Sequence, residues 1–73
     1  MSNNELSSAA MHRLCKKAGA ERVGGSAVEE LGKVLEDIGF KIVEEAIDYA
    51  MYAGRKTIKA RDIEIVARKF LGK

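Results

Sequence analysis

The stretch SAVEELGKVLEDIGFKIVEEAIDYAMYA, Ser26 to Ala53, contains no proline and carries one unbroken helical pattern. Leu31, Leu35, Ile38, Ile42, Ala46, Tyr49 and Ala53 recur every three or four residues, the spacing of a single helix face. Val34, Val43, Ile47 and Ala50 widen that apolar stripe. Ser26-Ala27-Val28-Glu29 has the pattern of a capping box and predicts the helix start at Ser26, while Gly54 predicts its end. Such a helix is about 40 Å long, whereas a compact globule of this chain length is only about 30 Å across.

What flanks the long helix is too short to cover it. On its N-terminal side a helix is predicted after Ser7 as N-cap, with Met11, Leu14, Cys15 and Ala18 on one face and Gly19 just past its end. On its C-terminal side a helix is predicted over Ala60–Leu71, with Ile63, Val66, Ala67 and Phe70 on one face and Glu64–Arg68 as a favourable i, i+4 pair. The predicted architecture is all-α, short–long–short, with loops at Arg22–Gly25 and Arg55–Lys59. Two helices of about three turns cannot shelter the whole stripe, so a second chain must lie across it. The expectation is an obligate dimer built around the long helix. Gly32 and Gly39 share a face, and each costs about 1 kcal/mol relative to alanine inside a helix. Gly39, near the midpoint, predicts a close crossing of two long helices, with Leu35, Ile38 and Ile42 around it; Gly32 needs no more than tolerant packing.

Length and composition point the same way. Seventy-three residues allow one domain that buries only about 60% of its unfolded surface, a size that usually needs a staple or a partner. One cysteine, Cys15, excludes an internal disulfide, and His12 is the only histidine, so no metal-ligand spacing exists. Residues 1–6 are polar and predicted to be a flexible N-terminus, leaving 7–73 as the domain. No apolar run approaches the ~20 residues of a membrane span, and no secretory segment follows Met1. The expected compartment is the cytoplasm, with no membrane partner.

Charge is segregated along the chain. The overall +2 divides into +2 over residues 1–25, −5 over 26–52 and +5 over 53–73. The densest cationic run, AGRKTIKARDIE from Ala53 to Glu64, falls in the bend between two helices. Arg13, Lys16 and Lys17 meet on one face of the first helix by their i, i+3, i+4 spacing. These patterns fit a polyanion-binding surface, and they equally fit solvated helix faces. Enzyme chemistry finds no support. Cys15 lies on the apolar stripe, His12 has no orienting acid, and no glycine-rich phosphate loop or isolated carboxylate pair is present. No cofactor, metal or small-molecule substrate is expected.

At KKAGAERV, Lys16–Val23, and at AGRKTIKARDIEIVARKF, Ala53–Phe70, the sequence closely resembles the archaeal histones, and the similarity runs without a gap from about Leu14 to Phe70. The resemblance implies a histone fold: two chains clasped head to tail in an obligate intertwined dimer, the first loop of one beside the second loop of the other. It implies that such dimers bind, bend and wrap duplex DNA along the paired loops and a central site near the first helices. By that resemblance Arg22 enters a minor groove, Lys56 pairs with phosphate, and Thr57 holds the backbone or positions the arginine. Arg13 takes the first-helix place at the dimer centre, and Lys16 and Lys59 are further DNA-binding candidates. Arg55 and Asp62 form a salt bridge that shapes the second loop. The implied location is the chromosome.

Five residues, in three groups, depart from the family pattern. Tyr52 stands where the family commonly has a histidine that pairs with an aspartate of a neighbouring dimer, here Asp62. A phenol carries no positive charge near neutral pH, so assembly into tetramers or fibres through Tyr49, Tyr52, Asp62 and Ile65 should depend little on pH. Gly24-Gly25 replaces the usual serine and acids, which predicts a cap moved to Ser26 and a looser first loop. Asp48 and Met51 replace long-helix cations, which predicts weaker or more salt-sensitive compaction. A second function class stays open: a histone-fold subunit of a transcription-type complex, pairing with a paralogue and binding DNA weakly.

Overall fold

A computed structural model describes residues 7–72 of the chain. The polar segment 1–6, expected to be a flexible terminus, and Lys73 lie outside the described residues. Three helices follow in order: α1, Ser8–Lys17; α2, Gly25–Tyr52; α3, Ala60–Leu71. Packing divides the chain into two compact units that part between Asp37 and Ile38.

In the first unit, the Ser7 side chain accepts the Ala10 N–H at 3.0 Å and opens α1. The helix ends in a Schellman motif. Gly19 N–H donates to Lys16 C=O and Ala20 N–H to Cys15 C=O, both at 3.0 Å, with Gly19 at φ +112°. A Cβ would be strained at that φ, which is why the chain needs glycine here. Met11 and Val28 are the buried apolar residues, and a Cβ at Gly32 would stand 4.0 Å from the Met11 Cγ, an ordinary contact, so the packing tolerates glycine there without requiring it.

One expectation is corrected. The long helix begins at Gly25, not at Ser26. The Gly24 carbonyl accepts the N–H groups of Ala27 and Val28 at 3.1 and 3.2 Å, so the capping position falls on Gly24. Ser26 is already inside the first turn, where helical backbone angles prevent it from acting as an N-cap.

In the second unit, α2 ends at Tyr52 by the same Schellman device. Gly54 N–H donates to Met51 C=O and Arg55 N–H to Ala50 C=O, both at 2.9 Å, with Gly54 at φ +75°. Ala46, Ala50 and Val66 are the buried apolar residues, and Val66 is the largest side chain that is fully enclosed. Around them the apolar stripes are only half covered. Ile38, Val43, Ile47 and Phe70 remain exposed, and Leu14 and Val34 do so in the first unit. Alanines and one valine release too little apolar surface from water to offset the chain entropy lost on ordering these helices. The face the sequence marks as core is therefore a face awaiting a second chain. Glu64 and Arg68, paired by their spacing, are not among the ion pairs within 4.0 Å found for the described residues.

Candidate nucleic-acid interface

Arg22 stands in the first helix-to-helix bend and Arg55, Lys56 and Lys59 in the second, while Lys33, Lys41, Arg68 and Lys69 lie on the helices away from both. In the first unit, Arg13, Lys16 and Arg22 are all exposed. The Lys16 ammonium donates to the Glu21 carbonyl at 2.6 Å, reaching across the Schellman turn to the peptide that leads into Arg22. Arg13 stands at the rim of an open recess of about 750 Å³ between the start of α1 and the start of α2, with His12, Val23 and Ser26 also lining it. Lysines 16 and 17 sit in the last turn of α1, where the helix dipole favours positive charge.

The second unit holds its bend more firmly. Arg55 donates through both terminal nitrogens to Asp62, Nη1 to Oδ2 at 3.0 Å and Nη2 to Oδ1 at 3.1 Å, and Nη1 also donates to the Thr57 carbonyl at 2.8 Å. The Lys59 N–H donates to Asp62 Oδ2 at 2.8 Å and closes the first turn of α3. A lysine side chain has no lone pair to return, so Lys59 supplies only its backbone to this cap. Asp62 is buried, at 3% exposure. The Arg55 guanidinium, helped by the Lys59 N–H, holds its carboxyl below the usual carboxylate range, and Asp62 in turn raises Arg55. With Arg55 so engaged, Lys56 and Thr57 stand exposed beside it, and Lys59 is exposed one turn on.

Several features had no sequence signal. The Lys16–Glu21 bond joins a side chain to a backbone oxygen five residues away, and no residue pattern encodes that. Lys69 donates to Glu45 at 3.0 Å and lies 5.9 Å from the Tyr49 ring centroid, a contact spanning twenty-four residues of sequence that lifts the Lys69 pKa. Arg61 is exposed in the first turn of α3, where the dipole disfavours a cation, and has no acidic partner within 4.0 Å among the described residues. The sequence counted it only as charge. Tyr49, Tyr52 and Asp48 line a shallow recess of about 280 Å³ at the end of α2, with Tyr52 97% exposed; Ile65 is half-buried. Gly39 would admit a Cβ without meeting any atom of its own chain within 4 Å, so nothing within the protomer requires glycine there. Among the described residues, no three His, Cys, Asp or Glu side chains cluster as metal ligands, and no helix is long and apolar enough to cross a membrane.

Residues 4–66 match the family model described as "Histone-like transcription factor (CBF/NF-Y) and archaeal histone". The chain belongs to the archaeal histone family. Among its relatives is a component of the archaeal histone HAN1 of Thermococcus zilligii, named as one of its subunits, 41% identical over 64 residues, which cover 88% of this chain and 96% of the relative. "Probable archaeal histone 3" of Methanocaldococcus jannaschii is 39% identical over the same shares of both chains. "Histone H4" of Dictyostelium discoideum is 28% identical over 60 residues, 82% of this chain and 56% of the relative. Histone-fold membership accounts for the short–long–short order of helices, and dimerisation through that fold accounts for the half-covered stripes of α2 and α3.

Proposed function

We propose that this archaeal histone forms homodimers that bind, bend and wrap duplex DNA with little sequence preference, compacting the chromosome as a structural protein rather than an enzyme. The observation that carries this reading is the second bend. Its arginine is neutralised inside the protein by a buried aspartate, which leaves Lys56 and Thr57 displayed on a rigid turn. Exposed cations and backbone N–H groups on such a turn suit phosphate oxygens, which position a protein on DNA without reading bases. Arg22 is assigned to a narrowed minor groove, where the potential deepens and arginine is favoured. Arg13 and Lys59 add phosphate contacts, and Arg61 joins them as a further cation of the second bend.

In this reading residues 7–73 form the histone-fold domain, and Leu35, Ile38, Gly39 and Ile42 lie where two long helices cross. Larger assemblies would use Tyr49, Tyr52, Asp62 and Ile65. Asp62 already accepts three hydrogen bonds within its chain and is 3% exposed, so it offers a neighbouring phenol at most one lone pair at the edge of its burial. Such a contact adds an aromatic surface with no titrating cation, and dimer–dimer association should change little across neutral pH. The Thermococcus zilligii relative is named as one subunit of its histone, which favours one further arrangement, a mixed dimer with a paralogue.

Purifying the chain alone separates these. A self-dimer by sedimentation that shifts duplex DNA supports the homodimer reading; affinity should fall by about 10³–10⁵ between 50 and 200 mM salt for ~6–10 phosphate contacts. A chain that is unfolded alone and folds only with a paralogue overturns it. Nuclease protection of reconstituted complexes then reports, by ladder spacing, whether dimers stack.

A further inference from the structure

We propose that Lys16 is the positioning residue of the first bend: its ammonium holds the Glu21–Arg22 peptide and so aims Arg22, instead of meeting phosphate itself. This rests on the DNA-binding reading above. The oxygen that Lys16 grips at 2.6 Å belongs to the peptide unit that carries the Arg22 nitrogen. A peptide unit is planar, so fixing its oxygen fixes the direction in which the Arg22 backbone starts. The bond is charge-assisted and short, and it adds a side-chain tie beyond the Schellman turn at Gly19, whose own hydrogen bonds end at Ala20.

The second bend repeats the arrangement. Arg55 donates to the Thr57 carbonyl at 2.8 Å and leaves Lys56 free, as Lys16 donates to the Glu21 carbonyl and leaves Arg22 free. In each bend one cation is spent on backbone and its neighbour is displayed. A lysine whose ammonium points back at its own loop is a poor phosphate ligand, because reaching DNA would release the residue it holds.

The test is a double-mutant cycle on the full chain with Lys16→Met, Arg22→Ala and both, reading duplex binding by fluorescence anisotropy over a range of salt. Lys16→Met is expected to weaken binding about tenfold alone and less than about twofold in the Arg22→Ala background, since residues acting through one another are not additive. The salt slope of the double variant should equal that of Arg22→Ala. Lys16→Arg, which keeps a donor, should restore most of the affinity. Additive losses, with the slope falling by a further ~0.9 for each lysine lost, would mean direct phosphate contact and overturn the proposal. A second measurement needs no DNA: backbone NMR order parameters at Arg22 and Val23 in the free protein should fall in Lys16→Met, and unchanged values overturn the clamp. Should the unaltered protein fail to bind DNA in a salt-dependent way, the DNA reading falls, while the order parameters still decide the clamp.

Discussion

The two bends leave their helices identically and are then held by different chemistry. Gly19 and Gly54 close α1 and α2 with the same pair of backbone hydrogen bonds. Beyond that point the second bend is tied to a buried carboxylate that receives two arginine nitrogens and a backbone N–H. The first is tied by one exposed lysine to one carbonyl. A cation paired with a buried acid is held by charge as well as by hydrogen bonds, whereas a cation on a peptide oxygen is held by one charge-assisted hydrogen bond alone. The contrast gives the second bend the stronger restraint and leaves the first, which carries the arginine assigned to the groove, dependent on a single tie.

The largest effect should come from breaking the stronger bend. Asp62→Ala strands the Arg55 guanidinium and the Lys59 N–H together, and should lower the melting temperature by roughly 10 °C at fixed protein concentration. Lys16→Met should leave the melting temperature nearly unchanged. Equal losses from the two would erase the contrast.

Next in size is binding. Arg22→Ala and Lys56→Ala should each reduce the salt slope by about 0.9 per contact, hence about 1.8 per homodimer, measured by titrating a duplex at several salt concentrations. Lys56→Arg should retain phosphate binding, whereas Arg22→Lys should lose any preference for narrow-groove sequences. Indistinguishable behaviour of the two conservative changes would contradict their separate roles.

Acid should separate the bends by sign. The Asp62 pKa is depressed in the folded protein, so its contribution is whole above the ordinary carboxylate pKa and is lost as pH falls through the depressed value. Melting followed from neutral pH downward should show the loss only in the acid range. Asp62→Asn should flatten that part of the profile, while Lys16→Met should leave it as it was.

The smallest effect belongs outside both bends. Lys69 and Glu45 are 57% and 41% exposed, and such pairs are weak. Lys69→Gln should move the melting temperature by no more than about 2 °C, read in the same thermal scan.

Local signals were legible because their causes are local. Helical periodicity, the Ser7 cap and the glycines at 19 and 54 act within four or five residues, and the helices begin and end close to where those signals place them. Gly24 was missed as a cap because a backbone carbonyl does that work and leaves no side-chain mark. The Arg55–Asp62 pair was reached through resemblance to a family, since a spacing of seven across a bend has no helical period behind it. The hold of Lys16 on Glu21, the stacking of Lys69 near Tyr49 and the occupied state of Asp62 depend on where the backbone travels after each turn.

By itself, then, the order of residues determined three helices, their punctuation, and an apolar stripe longer than its own chain can cover. Only the tertiary structure decided which cations are spent on the protein and which remain for a ligand. A side chain's charge is written in the sequence, but its partner is whichever oxygen the folded backbone brings within about 3 Å.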